Sequence, residues 1–164
     1  MARKTNIKIP GLNAWIDNIK NELSENAARD IVIDLKIAGP YWSGEFEAGW
    51  IVKRGATGVS ASKESRFGEF PERQPRTITD VTIPPAKGRG NITYSISNQM
   101  EYRDVALDLI PDASGKFRGD RPNRTAPKDW YVKYAQTQLR SRLEQTTGKV
   151  ARLPKLRNFR GGKG

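Results

Sequence analysis

The chain has 164 residues, a length that fits one domain with an added terminal segment. It contains no cysteine and no histidine, which excludes disulfides and thiolate metal sites and removes the commonest general base near neutral pH. No run of about 18 apolar residues occurs, so we expect no membrane-spanning helix. This composition favours a protein without catalytic activity, metal or cofactor.

The charge of the chain is concentrated in its C-terminal part. Residues 1–114 hold 15 Lys and Arg against 15 Asp and Glu, whereas residues 115–164 hold 14 against 3, so the last 50 residues carry the net charge of +11. Segments of this kind bind nucleic acid or acidic partner proteins, and composition leaves the two open. We therefore expect an N-terminal arm over 1–11, a folded domain over 12–147 and a basic, flexible tail over 148–164.

A long amphipathic helix is predicted over residues 12–38, because apolar residues recur there at three- and four-residue steps. At 1.5 Å per residue such a helix is roughly 40 Å long, so it either breaks near Asn21 or Ser24 or projects towards a neighbouring molecule. The apolar stripe consists of Leu12, Trp15, Ile16, Ile19, Leu23, Ala27, Ile31 and Leu35.

A pivot over residues 38–52 connects the helix to the predicted sheet. Gly39-Pro40 ends the helix, because proline has no amide hydrogen and disfavours helical geometry in the residue before it. After a turn at Ser43-Gly44, alternation of apolar with polar or small residues predicts a half-buried strand over 46–53. The aromatic residues of the pivot predict a core that joins helix to sheet, with a stacking platform for nucleic acid as the alternative. They are Tyr41, Trp42, Phe46 and Trp50.

Two further alternating segments, 77–83 and 91–97, predict strands that pair as a hairpin. Helical spacing over 98–110 predicts a second helix. A small antiparallel sheet covered by the long helix gives an α+β fold with a C-terminal helix and a basic tail.

The C-terminal helix is predicted to open near Thr125, as its cap, and to end at Gly148. Aromatic residues at its start and in the 55–75 loop are candidate contacts with a neighbouring subunit, since aromatic residues dominate interface hot spots. These are Phe67, Phe70, Trp130, Tyr131 and Tyr134. The candidate contacts with DNA or a partner protein are Lys149, Arg152, Lys155, Arg157, Arg160 and Lys163.

The acidic residues do not form a predicted catalytic or metal site. Glu45 and Glu47 stand two apart on a predicted strand, which suits acid–base work or a divalent cation, but a solvated strand face is the favoured interpretation. Asp104 and Asp108 are likewise predicted to be solvated on one helix face.

Three segments resemble the tail-completion, or neck, proteins of tailed bacteriophages. The first is Trp42-Ser43-Gly44-Glu45-Phe46 with Trp50 after it, where family members typically carry Thr-Gly-x-Leu. The second is the run Ile96-Ser97-Asn98-Gln99-Met100-Glu101-Tyr102, and the third is the helix over 130–145. The resemblance spans roughly residues 12–147, and the pivot is most similar to virion proteins of cyanobacterial phages.

This resemblance implies a structural role without catalysis. Family members assemble as rings at the head–tail junction of the virion, between the portal with its adaptor and the tail. The implied partners are further copies of the chain and the neighbouring neck, portal, adaptor and tail proteins, with no membrane. The alternative from another class is a small basic nucleic-acid-binding protein that acts through its C-terminal segment.

Overall fold

A computed structural model describes residues 11–41, 44–55, 81–88, 91–120 and 126–154. Its helices and strands confirm the predicted α+β fold, with a long N-terminal helix, an antiparallel sheet and a C-terminal helix. In chain order the elements are α1 (Leu12–Ala38), α2 (Glu45–Ala48), β1 (Trp50–Arg54), β2 (Tyr94–Asn98), α3 (Arg103–Ala106), a 3-10 turn (Arg118–Asp120), α4 (Trp130–Lys133), a π-helical segment (Tyr134–Gln138) and α5 (Leu139–Ala151).

The prediction of α1 is confirmed at both ends, and the helix runs unbroken through its 27 residues. Gly39 closes it by donating its amide to the Leu35 carbonyl at 3.0 Å, and Pro40 prevents its continuation. The buried apolar residues all lie in the C-terminal half, where Ala28, Val32 and Leu35 face the core. The apolar residues of the N-terminal half are partly exposed, so this half contributes less to the core.

The strand predicted over 46–53 is wrong in its first half, because the chain forms the one-turn helix α2 there. Gly44 adopts a left-handed backbone with φ 86°, which suits glycine, and its carbonyl accepts the Ala48 amide at 2.9 Å. The acidic Glu45 in the first turn is favourable at the positive end of the helix. The strand therefore begins only at Trp50.

The described residues of the predicted hairpin 77–83 and 91–97 do not show that pairing. In the described residues β2 pairs with β1, with Trp50 opposite Asn98 and Arg54 opposite Tyr94. Of the predicted strand 77–83, residues 77–80 lie outside the described residues and 81–83 belong to no strand. The alternation that predicted this strand places Val81 and Ile83 against the core without a described strand partner.

The helix predicted over 98–110 shrinks to the single turn α3. Asn98 is the last residue of β2, so the helix cannot begin there. Asp108 has a left-handed backbone, φ 59°, which ends helical geometry soon after Ala106.

The C-terminal helix is continuous from Trp130 to Ala151 through α4, the π-helical segment and α5. Gly148 does not end it, so the predicted boundary between domain and tail falls inside α5. Thr125 lies outside the described residues, and the residue before the first turn is Asp129, whose side chain makes no capping hydrogen bond.

The core lies where the second half of α1, α2, β1 and the C-terminal helix meet. Ala106 and Leu107 at the end of α3, together with Ala126, complete it. Its buried members are Ala28, Val32, Leu35, Phe46, Trp50, Val52, Ala106, Leu107, Ala126, Trp130 and Tyr134.

Candidate functional site

Phe46 stands at the centre of an aromatic cluster. Its ring centroid lies 5.8 Å from that of Trp50, 6.2 Å from that of Tyr102 and 6.4 Å from that of Trp130. The contacts with the two tryptophans are edge-to-face, with interplanar angles of 77° and 86°, which is a favoured geometry for aromatic pairs. The prediction that Phe46 and Trp50 are core residues is confirmed.

Asn98 fastens this cluster to the end of the sheet. Its side-chain Nδ2 donates to the Phe46 carbonyl at 2.7 Å, and its Oδ1 accepts the Met100 amide at 3.0 Å. A Cβ at Gly49 would lie 2.6 Å from Asn98 Oδ1, so only glycine allows this close approach. Because both the Nδ2 and the Oδ1 of this buried side chain are hydrogen-bonded, Asn98 holds the Phe46 and Met100 backbones together.

The three segments that carry the family resemblance therefore meet in one place. Phe46 belongs to the first, Asn98 and Tyr102 to the second, and Trp130 to the third. Gly44 of the first segment supplies the backbone turn that places Phe46. Trp42 and Ser43 lie outside the described residues.

The prediction that Trp130 and Tyr134 contact a neighbouring subunit is wrong for this chain. Each is 3 % exposed and belongs to the core. The indole Nε1 of Trp130 donates to the Ala106 carbonyl at 3.0 Å, and the Tyr134 hydroxyl donates to Asp34 Oδ2 at 3.2 Å. Tyr131 is partly buried and packs edge-to-face on Trp130 at 5.8 Å. Phe67 and Phe70 lie outside the described residues.

A polar seam joins α1 to α5, and sequence reasoning missed it. Arg142 donates from Nε to Asp34 Oδ2 at 2.6 Å and from Nη2 to Asp34 Oδ1. One helical turn earlier, Asp30 Oδ2 accepts the Thr146 hydroxyl at 2.6 Å and the Lys149 ammonium at 3.4 Å. Asp30 and Asp34 lie four residues apart and so share one face of α1, which is the sequence feature that indicates a polar contact surface. The sequence alone does not identify their partners.

The predicted basic contact residues are divided by this seam. Lys149 is bound to Asp30 within the chain, while Arg152 is exposed just beyond α5. The side chain of Lys149 nonetheless remains 63 % exposed. Lys155, Arg157, Arg160 and Lys163 lie outside the described residues.

Asp108 forms a second polar centre, which corrects the prediction that it is solvated. Its carboxylate pairs with the Arg118 guanidinium at 3.1 Å and accepts the amides of Gly119 at 2.8 Å and Asp129 at 3.3 Å. Arg118 in turn donates to the Ala106 carbonyl at 3.2 Å. This buried pair fixes the path of the chain between α3 and the C-terminal helix.

The loop held by Asp108 exposes large apolar side chains. Leu109 is 47 %, Ile110 48 % and Phe117 37 % exposed. The Asp112 amide donates to the Lys116 carbonyl at 3.0 Å, which closes the turn and brings its two flanking segments together. We call Leu109, Ile110 and Phe117 the apolar loop; exposed groups of this kind mark interaction surfaces when they are contiguous.

An open groove of about 380 Å³ lies between the end of α1 and the C-terminal helix. Its charged lining residues, Asp34 and Arg142, neutralise each other. The rest of its lining is apolar or uncharged polar: Ile37, Ala38, Thr137, Gln138, Ser141 and Gln145. This lining offers neither a nucleophile–base pair nor a concentration of like charge.

The acidic residues of the pivot are placed differently from the prediction. Glu47 is buried on α2 rather than solvated on a strand, since it is only 5 % exposed. Across the described ranges, no three acidic, histidine or cysteine residues come together in a way that would hold a metal ion. In the same ranges, no helix is long and apolar enough to cross a membrane.

Two tyrosines of the core have strongly perturbed acidity. Burial first, and then the nearby Glu45 carboxylate, raises the pKa of Tyr102 well above its ordinary value. Burial first, and then the charge and hydrogen bond of Asp34, raises the pKa of Tyr134 in the same direction. Both phenols therefore stay protonated at neutral pH, where they serve packing and hydrogen bonding.

Comparison with known proteins gives no relative: no family model, no curated protein and no solved structure matches this chain.

Proposed function

We propose that the chain is a structural virion protein, a ring-forming subunit at the head–tail junction of a tailed bacteriophage. The observation that carries the proposal is the convergence of the three neck-like segments on Phe46. In the sequence, these three segments are short and degenerate motifs. In the fold, their residues join the long helix, the sheet and the C-terminal helix. That is the pattern expected when a resemblance reflects a shared architecture.

The chemistry of the described residues favours assembly over catalysis. The buried ion pair Asp108–Arg118 makes structural hydrogen bonds to the backbone. By contrast, Leu109, Ile110 and Phe117 of the apolar loop are exposed to solvent, on a loop that the Asp108–Arg118 pair holds in place. A subunit of a closed ring requires such surfaces, because each copy must contact two neighbours through different patches.

Light scattering coupled to size-exclusion chromatography, with electron microscopy of the same fractions, tests this proposal. We expect a closed ring of defined mass that forms as the protein concentration rises. We expect Ile110→Glu, which places a charge in the apolar loop, to shift the chain towards monomer. Thr147→Glu, at an exposed position of α5, is the control for added charge.

The basic C-terminal part supports one competing function, a nucleic-acid-binding protein. Its net charge of +11 over residues 115–164 would release counterions from DNA, so binding would weaken steeply with salt. A chain that stays monomeric at every concentration would overturn the ring proposal in favour of this alternative if it also bound duplex DNA tightly and lost that binding on truncation after Ala151.

A further inference from the structure

The helix α5 is attached to the rest of the fold by polar contacts with α1 as well as by the apolar Leu139 and Val150. The buried residues of α5 are Thr146 and Val150, and its apolar Leu143 is exposed. Its polar contacts with α1 include the Asp34–Arg142 pair and the bonds of Asp30 to Thr146 and Lys149 described above. A helix held by partly exposed ion pairs is more easily released than one held by a broad apolar face, because water and salt compete for its bonds.

The α1 residues in this seam present anions to a basic face of α5. The Arg142 guanidinium uses two of its N–H donors on the two oxygens of Asp34, the arrangement it also adopts on phosphate. Lys149 lies seven residues further along, against Asp30. Arg152 follows one turn later and is exposed. Asp34 and Asp30 are thus the anions that these two cations bind in this structure.

We propose that the α5 face formed by Arg142 and Lys149 is a binding site for nucleic-acid phosphates, which Asp30 and Asp34 occupy in this structure. The carboxylates act as an internal competitor. Release separates α5 from α1 beyond the π-helical segment, since Tyr134 at the start of that segment is held in the core. Interrupted helical geometry of this kind is frequent at functional sites.

A nucleic acid fits this face better than an acidic protein does. Its phosphates form a continuous line of charge and release bound counterions, so they gain more from a row of cations than isolated carboxylates do. The excess of 14 basic over 3 acidic residues in positions 115–164 extends the favourable field beyond α5. This site goes beyond the proposed ring function, which does not require it.

Binding of a fluorescently labelled DNA duplex to the full chain, followed by anisotropy, tests the proposal. We expect Asp30→Asn/Asp34→Asn to bind about tenfold more tightly than the wild type at about 50 mM salt. The matched control is Asp17→Asn/Glu101→Gln, which removes the same charge away from the seam and is expected to change the affinity less than about twofold. Equal effects of the two double variants would overturn the proposal.

The site itself is tested in the Asp30→Asn/Asp34→Asn background. Adding Arg142→Gln/Lys149→Gln removes the gain, whereas the matched pair Lys133→Gln/Arg140→Gln, elsewhere on the C-terminal helix, leaves most of it. The reverse result would assign the binding to another surface. A poly-glutamate peptide that binds the opened variant more tightly than the duplex does would overturn the choice of nucleic acid.

Hydrogen exchange of the amides in 139–151 supplies an independent readout. We expect these amides to exchange faster in Asp30→Asn/Asp34→Asn than in the wild type. When duplex is added to the variant, we expect α5 to remain separated from α1. Unchanged protection in a variant whose thermal unfolding remains cooperative would overturn the release step. The single variant Asp30→Asn, which leaves the Arg142 pair intact, gives a milder version of the same comparison if the double variant unfolds.

Discussion

The side-chain amide of Asn98 donates a 2.7 Å hydrogen bond to the carbonyl of Phe46, across 52 positions of the sequence. The same side chain receives the Met100 amide on its oxygen. One buried residue thus joins the pivot to the end of β2, because it satisfies the Met100 amide and adds a second donor to the Phe46 carbonyl, which also accepts the Gly49 amide at 3.2 Å. Because the Phe46 ring also contacts Tyr102 and Trp130, the position of Asn98 bears on the whole aromatic cluster.

We expect Asn98→Ala to lower the free energy of unfolding by about 1–3 kcal/mol, because it leaves the buried Met100 amide without its acceptor and removes one of the two hydrogen bonds that the Phe46 carbonyl accepts. Urea unfolding followed by tryptophan fluorescence measures this change. Asn91→Ala, at an exposed position, is the control and is expected to stay within about 0.5 kcal/mol of the wild type. Equal effects of the two substitutions would show that Asn98 does not hold these two backbones together.

Two glycine-to-alanine substitutions are expected to change stability in opposite directions. At Gly49 a Cβ would lie 2.6 Å from Asn98 Oδ1 and 2.7 Å from Met100 Cγ, so alanine overpacks the core and costs about 1–3 kcal/mol. At Gly148 nothing lies within 4 Å, and alanine in the interior of α5 stabilises the chain by about 0.5–1 kcal/mol. Thermal unfolding of both variants measures the two signs, and a stabilised Gly49→Ala would contradict the close approach.

The helix and the sheet differ in how far the sequence predicts them. The helix α1 follows from its sequence because 27 residues repeat one apolar period between two glycine boundaries. The four-residue α2 does not, since Glu45-Phe46-Glu47-Ala48 alternates like a strand and only the left-handed backbone at Gly44 turns it into a helix. Short elements carry too few residues for periodicity to separate the two.

Contacts between distant segments were harder still to predict. Alternation predicts strands over 77–83 and 91–97 and a hairpin between them, whereas in the described residues β2 pairs with β1, which lies about 40 positions earlier in the chain. Asp34 and Arg142 of the seam lie 108 positions apart in the sequence. The sequence shows the charge of each residue but does not show that the two pair. Burial of Trp130 was missed because the surrounding basic residues suggested an exposed helix start.

Asp108→Asn is expected to destabilise the chain by about 3–5 kcal/mol, because it leaves the Arg118 guanidinium with a neutral partner inside the protein. The Asp108 side chain is only 1 % exposed, so water does not replace the lost charge. Asp120→Asn, which breaks the exposed pair with Lys128, is the control and is expected to cost less than about 1 kcal/mol. Chemical denaturation of the two variants measures the difference, and similar losses would contradict a buried pair.

Trp50→Ala is expected to cost about 3–5 kcal/mol, since the indole is buried at the end of β1 and packs edge-to-face on Phe46. Denaturant unfolding and light scattering are measured on the same preparation. A near-neutral change in stability together with lost assembly would show that Trp50 is an interface residue rather than a core residue. Val132→Ala, at an exposed position of α4, controls for the loss of apolar volume without loss of core packing.

Stability is expected to fall at alkaline pH because of Tyr102 and Tyr134. Burial, aided by Glu45 at Tyr102 and by Asp34 at Tyr134, raises the pKa of each phenol in the folded chain, while the unfolded chain ionises near pH 10. The stabilisation that this difference represents is fully present below about pH 10 and is lost as the pH rises through the folded pKa. Each tyrosine then contributes a slope of about 1.4 kcal/mol per pH unit.

Urea unfolding between about pH 8 and pH 11 measures this slope. We expect Tyr134→Phe to reduce the slope of the free energy of unfolding against pH by the contribution of one ionising group. The variant is also less stable at neutral pH, because it lacks the hydrogen bond to Asp34. Tyr102→Phe is expected to reduce this slope similarly, and the double variant to combine both effects, since Tyr102 lies near Glu45 whereas Tyr134 lies near Asp34. A Tyr134→Phe chain with the slope of the wild type would show that this phenol ionises equally in the folded and unfolded states.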